Sequence, residues 1–308
     1  MKYASLAEVD APVSRCVLGT SGIRDETGYP LLDAFVAAGG SCIDTARVYG
    51  GGRCEETVGG WIRRARPDGL VIVGKGAHPP HCTPAAVEPE LLQTLDRLGV
   101  PTIDVYLLHR DDTSIPVGEF VDALERQVAA GRIRAYGGSN WSEQRVRETN
   151  DYARRHGLRG MTVVSNHFSL AEPVEPLYPG CAGVSRSYCD YLAEDGIALM
   201  PWSSQARGFF ADVPRGDLDP NVWRCWGTPD NYARRERARQ LAERLAVRAV
   251  NVALAYVLCQ SFATLPIIGP RTVAELEIAL AGTDVSLSEQ DIAWLEHGES
   301  GVDRRETG

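Results

Sequence analysis

The stretch Cys42-Ile43-Asp44-Thr45-Ala46-Arg47-Val48-Tyr49-Gly50-Gly51-Gly52-Arg53-Cys54-Glu55-Glu56 decides how the chain is read. An apolar run ends on a carboxylate, Asp44, where a strand leaves the core. Tyr49 follows five residues later, beside three glycines that permit positive φ and close backbone approach. From Cys54 to Trp61 a helical pattern opens. A buried strand, a glycine-rich turn and a helix start, with an acid and a phenol at the strand's exit, point to a site at the carboxyl end of a sheet or barrel. The competing reading is a strand-end cap with a half-buried tyrosine, and the stretch alone does not separate the two.

On either side of it, strand and helix patterns alternate. Strands are expected at 16–20, 41–45, 69–75, 103–108, 133–138, 161–165, 196–202 and 264–268. Helices are expected at 30–38, 54–65, 84–98, 117–130, 143–155, 186–194, 232–245, 250–259, 273–280 and 289–296. The helix over 84–98 carries apolar residues at 87, 91, 92, 95 and 98, an amphipathic spacing. A long loop is expected over 205–230. Eight strands, each followed by helix, argue an α/β chain folded as a (β/α)8 TIM barrel rather than an open doubly wound sheet. No G-x-G-x-x-G follows a strand, so there is no sign of a Rossmann domain. No linker divides the chain, which reads as a single domain over 1–308. Residues 1–15 form an N-terminal segment, expected as a hairpin or plug over the barrel floor.

Composition narrows the function. Apolar residues make up 44% of the 308, ample for a core, and the net charge is -9. No basic stripe is present, which argues against a nucleic-acid partner. The start Met-Lys-Tyr-Ala-Ser has no apolar signal region, and no apolar run approaches the length that spans a bilayer. The eight cysteines form no C-x-x-C and no paired-ligand spacing, so no metal site is expected. They read as reduced thiols of a cytoplasmic protein.

In a barrel of this kind, catalytic groups gather at the carboxyl ends of strands. There stand Asp44, Lys75, His109, Ser139-Asn140, Asn166 and Trp202-Ser203, on consecutive predicted strands. Singly, Lys75 reads as a snorkelling lysine, His109 as a satisfied core histidine and Asn140 as a helix cap. Jointly, an acid, a lysine, a tyrosine and a histidine form the coupled kind of set that perturbs pKa values.

Asp44-Thr45-Ala46 with Tyr49-Gly50 resembles the signature of the aldo-keto reductases. So do Gly74-Lys75, Leu107-Leu108-His109, Gly138-Ser139-Asn140-Trp141, Trp202-Ser203 with Arg207-Gly208, and Ile268-Gly269-Pro270-Arg271-Thr272. The ordered set runs from about residue 16 to 297. The resemblance implies a (β/α)8 barrel that binds a nicotinamide dinucleotide and reduces an aldehyde or ketone. It implies a catalytic tetrad of Asp44, Tyr49, Lys75 and His109. Tyr49 is the expected general acid, with a phenol pKa lowered by the Lys75 ammonium. Asp44 would hold Lys75, and His109 would polarise the carbonyl.

The resemblance further implies a cofactor site of Gly19, Thr20, Ser21, Asp44, Ser139, Asn140, Asn166, Trp202, Ser203, Gln205, Arg207, Gly208, Gly269, Arg271 and Glu275. NADPH is expected because Arg271-Thr272 is retained; NADH is the alternative because Glu275 replaces glutamine or arginine. Arg271 and Glu275 could instead pair with each other. Candidate substrate contacts are Tyr49, His109, Arg110, Phe209, Trp223 and Trp226, for a sugar or aromatic carbonyl. The aromatics of this loop could equally serve only as its anchors, and Asp111 and Asp112 read as turn residues. Two other functions compete with the enzyme: a dinucleotide-binding regulatory subunit with little turnover, and a barrel acting on phosphorylated sugars. The Trp202 stack and Ser139-Asn140 argue against the latter.

Overall fold

The structure, a computed structural model, describes residues 1–298. A hairpin of β1 (Tyr3–Leu6) and β2 (Val9–Ser14) comes first. Strands and helices then alternate: β3 (Val17–Gly19), α1 (Tyr29–Ala37), β4 (Cys42–Asp44), α2 (Arg53–Ala65), β5 (Val71–Gly76), α3 (Pro84–Leu98), β6 (Ile103–Leu108) and α4 (Val117–Ala129). Next come β7 (Ile133–Ser139), α5 (Glu143–His156), β8 (Val163–Ser165), α6 (Arg186–Glu194) and β9 (Ala198–Leu199). The chain continues through α7 (Pro220–Trp226), α8 (Pro229–Leu245), α9 (Ala249–Leu258), β10 (Ile267–Ile268), α10 (Val273–Ala281) and α11 (Glu289–His297).

Strands β3 to β10 form one parallel sheet in the order β10-β3-β4-β5-β6-β7-β8-β9. Its two edges meet. Leu199 N–H donates to Ala263 O and Leu265 N–H to Leu199 O, both at 2.8 Å, and Ile267 N–H donates to Pro201 O at 2.9 Å. The sheet therefore closes as the (β/α)8 barrel the alternation implied.

Side chains of a strand alternate between faces, and the packing shows which face is which. Cys42, Val71, Val73, Val105, Leu107, Ala135 and Val163 pack together inside the barrel. Ile43, Ile72, Tyr106, Leu108, Tyr136 and Val164 pack outward, under the helices. Leu6, Val9 and Val13 of the hairpin join the interior cluster, so the hairpin plugs the barrel floor. A small surface cleft lined by Lys2, Arg15, Leu258, Cys259, Thr283 and Val285 contains none of the candidate site residues.

Two expectations need correction. Residues 205–230 are not one loop: α7 lies within them, with Pro220 in its first turn and Asp219 accepting from Asn221 N–H at 2.9 Å. In α3 the buried stripe is Val87, Glu90, Leu91, Thr94 and Leu98, while Leu92 is exposed. Two polar side chains hold places on the inner face because each has a partner there. Thr94 donates to Glu55 at 2.8 Å, and Glu90 accepts from Ala77 N–H at 2.7 Å. Among the described residues, no helix is long and apolar enough to cross a membrane.

Candidate active site

The alternation that buries Val71 and Val73 inside the barrel carries on to Lys75; Val105 and Leu107 lead likewise to His109, Cys42 to Asp44, and Ala135 to Ser139. Each of these positions falls at the carboxyl end of its strand. Tyr49 reaches the same place by another route. It opens a 3-10 turn, Tyr49–Gly52, in which Gly50, Gly51 and Gly52 have φ of 58°, 69° and 98°. These left-handed values are costly for other residues. The turn folds the chain back so that the phenol overlies the strand ends.

The four tetrad candidates converge. Lys75 donates to the Asp44 carboxylate in a short contact, to Thr45 O at 3.3 Å and to Tyr49 OH at 3.4 Å. Asp44 and Lys75 are each 2% exposed. The Tyr49 and His109 rings meet edge to face with centroids 5.9 Å apart, and His78 stands against the far side of His109 at 5.0 Å. His109 is buried, and its Nδ1 has no partner among the described residues.

Burial dominates the protonation states. It pushes the Asp44 carboxyl up, against the pull of Lys75. It opposes the charge on Lys75 as well, but Asp44 and then Tyr49 outweigh it, and the ammonium is held above its ordinary value. The Tyr49 phenol is raised: burial outweighs the lowering by Lys75, and Asp44 adds to the rise. The expected net lowering of the phenol pKa is thus reversed, because burial of the phenol outweighs the nearby ammonium, with the Asp44 charge adding to the rise. Burial, followed by the charges of Lys75, Arg110 and His78, holds His109 well below its ordinary value, so the imidazole is neutral.

Around this centre the other candidates take distinct places. Thr20 is buried and anchors Asp44: its N–H and Oγ1 both donate to Asp44 O at 2.9 Å. Gly19 abuts Ile267 and Ile268 of β10, and the exposed Ser21 accepts from the Cys54 thiol. Ser139 donates to Ser165 O at 2.8 Å, and Asn140, at φ 62°, donates to Ser139 Oγ at 3.0 Å. Asn166 donates to Trp141 O at 2.8 Å, and its Oδ1 is buried without a partner among the described residues. Trp202 is half-buried against His167, with ring centroids 5.2 Å apart. The segment of Ser203, Gln205, Arg207 and Gly208 follows, with left-handed Ser203, Ala206 and Arg207. Gln205 donates to Val250 O at 3.2 Å, and Arg207 lies 3.9 Å from Asp219.

Gly269 is exposed before α10. Arg271 and Glu275 do pair: the carboxylate accepts from Arg271 N–H and from the guanidinium, both at 2.7 Å. Phe209 and Trp226 are fully buried in the cluster of α7, α8 and α9. They therefore anchor the segment after β9 and present no face to a substrate, which corrects the expectation that they contact one. Trp223 packs against Phe209 at 5.7 Å. Asp111 is a structural residue, held by Arg145 through two bonds of 2.8 and 2.9 Å. Asp112 caps Ser114.

Two groups escaped the sequence reading. His78 flanks His109 from the β5 exit. Glu90 braces that exit, accepting from Ala77 N–H while Arg47 lies 3.3 Å from its other oxygen. The available signal was a charged residue on the buried stripe of a helix.

The barrel and the tetrad-like cluster define a class, and the comparisons agree. The Aldo/keto reductase family model matches residues 16–297, and the chain belongs to that family. It is 30% identical over 295 residues to a norsolorinic acid reductase of Emericella nidulans, covering 89% of this chain and 72% of the relative. It is 26% identical over 305 residues to an aryl-alcohol dehydrogenase [NADP(+)] of Phanerodontia chrysosporium, covering 90% and 77%. Its fold is similar to that of an aldo/keto reductase from Klebsiella pneumoniae solved with NADP and acetate. That match has a TM-score of 0.74 at 24% identity, over 96% of this chain and 94% of the other.

Proposed function

We propose that this oxidoreductase is a single-domain, NADPH-dependent reductase of aldehydes or ketones in which Tyr49 delivers the proton. The observation that carries the reading is the placement of Lys75 between Asp44 and Tyr49, with His109 across the Tyr49 ring.

Reducing a carbonyl needs a hydride at carbon and a proton at oxygen. The hydride chemistry belongs to the nicotinamide when it is bound. The chain's own residues do the rest. Tyr49, protonated well into the alkaline range, is a proton donor ready at neutral pH. Lys75 is fixed by Asp44 close enough to the phenol to stabilise the charge left after proton transfer. Neutral His109 offers a ring N–H to the carbonyl oxygen and so polarises it without adding a second cation.

The residues present fit a nicotinamide dinucleotide. The unpartnered Asn166 Oδ1 is the acceptor a carboxamide NH2 requires, and Ser139 and Asn140 stand beside it as hydroxyl and amide groups. Trp202 would face the ring, Ser203 to Gly208 the pyrophosphate, and Gly269, Arg271 and Glu275 the adenosine end. The name of the Phanerodontia relative supports NADP(H), as does the retained Arg271. The eight free cysteines support a reducing, cytoplasmic setting.

Titration of protein fluorescence with NADPH and with NADH tests the binding step. Steady-state reduction of a carbonyl panel then tests catalysis. Quenching by NADPH with turnover is expected. Quenching without turnover on any aldehyde would favour a dinucleotide-binding regulatory subunit.

A further inference from the structure

Arg110 directly follows His109 at the exit of β6, and its electrostatic surroundings are unlike those of its neighbours. Arg145 is paired with Asp111, Arg47 with Glu90, and Lys75 with Asp44. Arg110, half-buried, makes no ion pair among the described residues. The nearby acids are already engaged: Asp111 by Arg145, Asp112 by Ser114. A guanidinium has five N–H donors. Two of Arg110's nitrogens have partners, one donating to His109 O at 2.8 Å and the other to the Cys181 sulfur, a weak acceptor, at 3.4 Å. The side chain lies against Gly180, in the segment that follows β8.

This leaves a cation with unused donors beside the reacting groups. Its charge reaches both centres of the proposed chemistry, favouring the ionised phenol of Tyr49 and opposing charge on His109. A half-buried cation of this kind is stabilised by an anion, and a guanidinium matches a carboxylate through two parallel bonds.

We propose that Arg110 is the anion-binding element of the substrate site, and that the favoured substrates are carbonyl compounds bearing a carboxylate. The proposal rests on the reading of Asp44, Tyr49, Lys75 and His109 as a carbonyl-reducing site. A carboxylate is the matching ligand because the guanidinium presents a planar set of free donors, and Arg47, Arg145 and Lys75 around it are already paired.

The test uses 2-, 3- and 4-carboxybenzaldehyde, each against its methyl ester, with the wild-type enzyme and NADPH. At least one acid is expected to show a kcat/KM about tenfold or more above its ester, the scale of a charge-assisted contact. In Arg110→Gln, kcat/KM for that acid should fall at least tenfold further than for the ester, mainly through KM. Arg110→Lys, which keeps the charge without the fork, should recover part of the difference. If no acid is preferred, or acid and ester fall together in Arg110→Gln, Arg110 is a clasp between His109 and the Gly180–Cys181 segment and the proposal is wrong.

Protection by benzoate against thermal unfolding of the NADPH-bound protein, in wild type and Arg110→Gln, reads Arg110 without turnover. Loss of reduction on every aldehyde with benzoate protection intact would refute the enzymatic reading and leave the anion site standing. Absence of any Arg110-dependent protection would refute the anion site itself.

Discussion

Replacing Lys75 by Met tests the buried pair at the centre of the site. The side chains of Lys75 and Asp44 are each 3% exposed, so Asp44 in the variant has neither partner nor water. Removing one member of a buried pair costs roughly 3–5 kcal/mol, whereas removing both costs much less. For 308 residues, an unfolding entropy of about 2.1 cal/mol/K per residue gives about 0.65 kcal/mol/K. Lys75→Met should therefore melt about 5–8 °C below wild type near neutral pH. The double variant Lys75→Met, Asp44→Asn should recover most of that loss.

The pH dependence follows with a definite sign. Burial already raises the Asp44 carboxyl, and removing the ammonium raises it further. The folded variant then holds a proton that the unfolded chain releases above about pH 3.9. Its stability falls as pH rises from there to the folded value. The gap between single and double variants should accordingly narrow on acidification. Calorimetry of the three proteins from pH 5 to 8 makes the measurement. Equal melting temperatures for the single and double variants would refute the argument.

Three further outcomes are expected. Tyr49→Phe should lower the rate of carbonyl reduction at least about a hundredfold, the usual scale of general acid catalysis. It should leave NADPH affinity nearly unchanged, and more than about a tenth of the wild-type rate would exclude the assignment. Because Tyr49 is raised above its ordinary value and His109 lowered below its own, kcat/KM for reduction should stay flat between about pH 6 and 9. A step near pH 6.5, the ordinary histidine value, would contradict a neutral His109. Arg271→Ala should weaken NADPH about ten- to a hundredfold while sparing NADH. Glu275→Gln should tighten NADPH by removing the carboxylate that now holds Arg271, and equal weakening of both cofactors by Arg271→Ala would place that arginine elsewhere than on a 2′-phosphate.

The barrel was legible because its signals are local. Short apolar runs bounded by polar residues give the strands, and the polar residue that ends each run, Lys75 after Leu70 to Val73 or His109 after Val105 to Leu108, marks the carboxyl end. The ends of the same runs are where a barrel places its chemistry, so fold and site were read from one pattern; that Lys75 and His109 face inward came from the structure. Helix α7 was hidden because seven residues are too few for a helical period to stand out; its Asp219-Pro220 start was the usable mark. The stripe of α3 was misread at Leu92 because hydrophobicity ranks a leucine above a glutamate. The fold buries Glu90 instead, since the exit of β5 offers it a backbone donor 13 residues away in sequence.

The site was legible as a set of residue types and illegible as a balance of energies. Sequence can name the ammonium beside a phenol, and that neighbour alone argues for a lowered pKa. It cannot show that the ammonium is already neutralised by a carboxylate, or that Asp44 and Lys75 are buried together with the hydroxyl of the half-buried Tyr49 against them. In the structure these terms reverse the direction for Tyr49. The reversal bears on the chemistry: a raised phenol is fully protonated at neutral pH, which supplies the proton for reduction and leaves little phenolate to act as base in the reverse oxidation. It is also a weaker acid that needs help as the proton leaves. Lys75 then acts less by ionising the resting phenol than by stabilising the phenolate as the proton leaves. That contribution exists only in the transition state and after it, where an interaction accelerates a reaction. The Asp44 pair is what keeps the ammonium available for it, since an unpaired lysine buried at this depth would lose its proton.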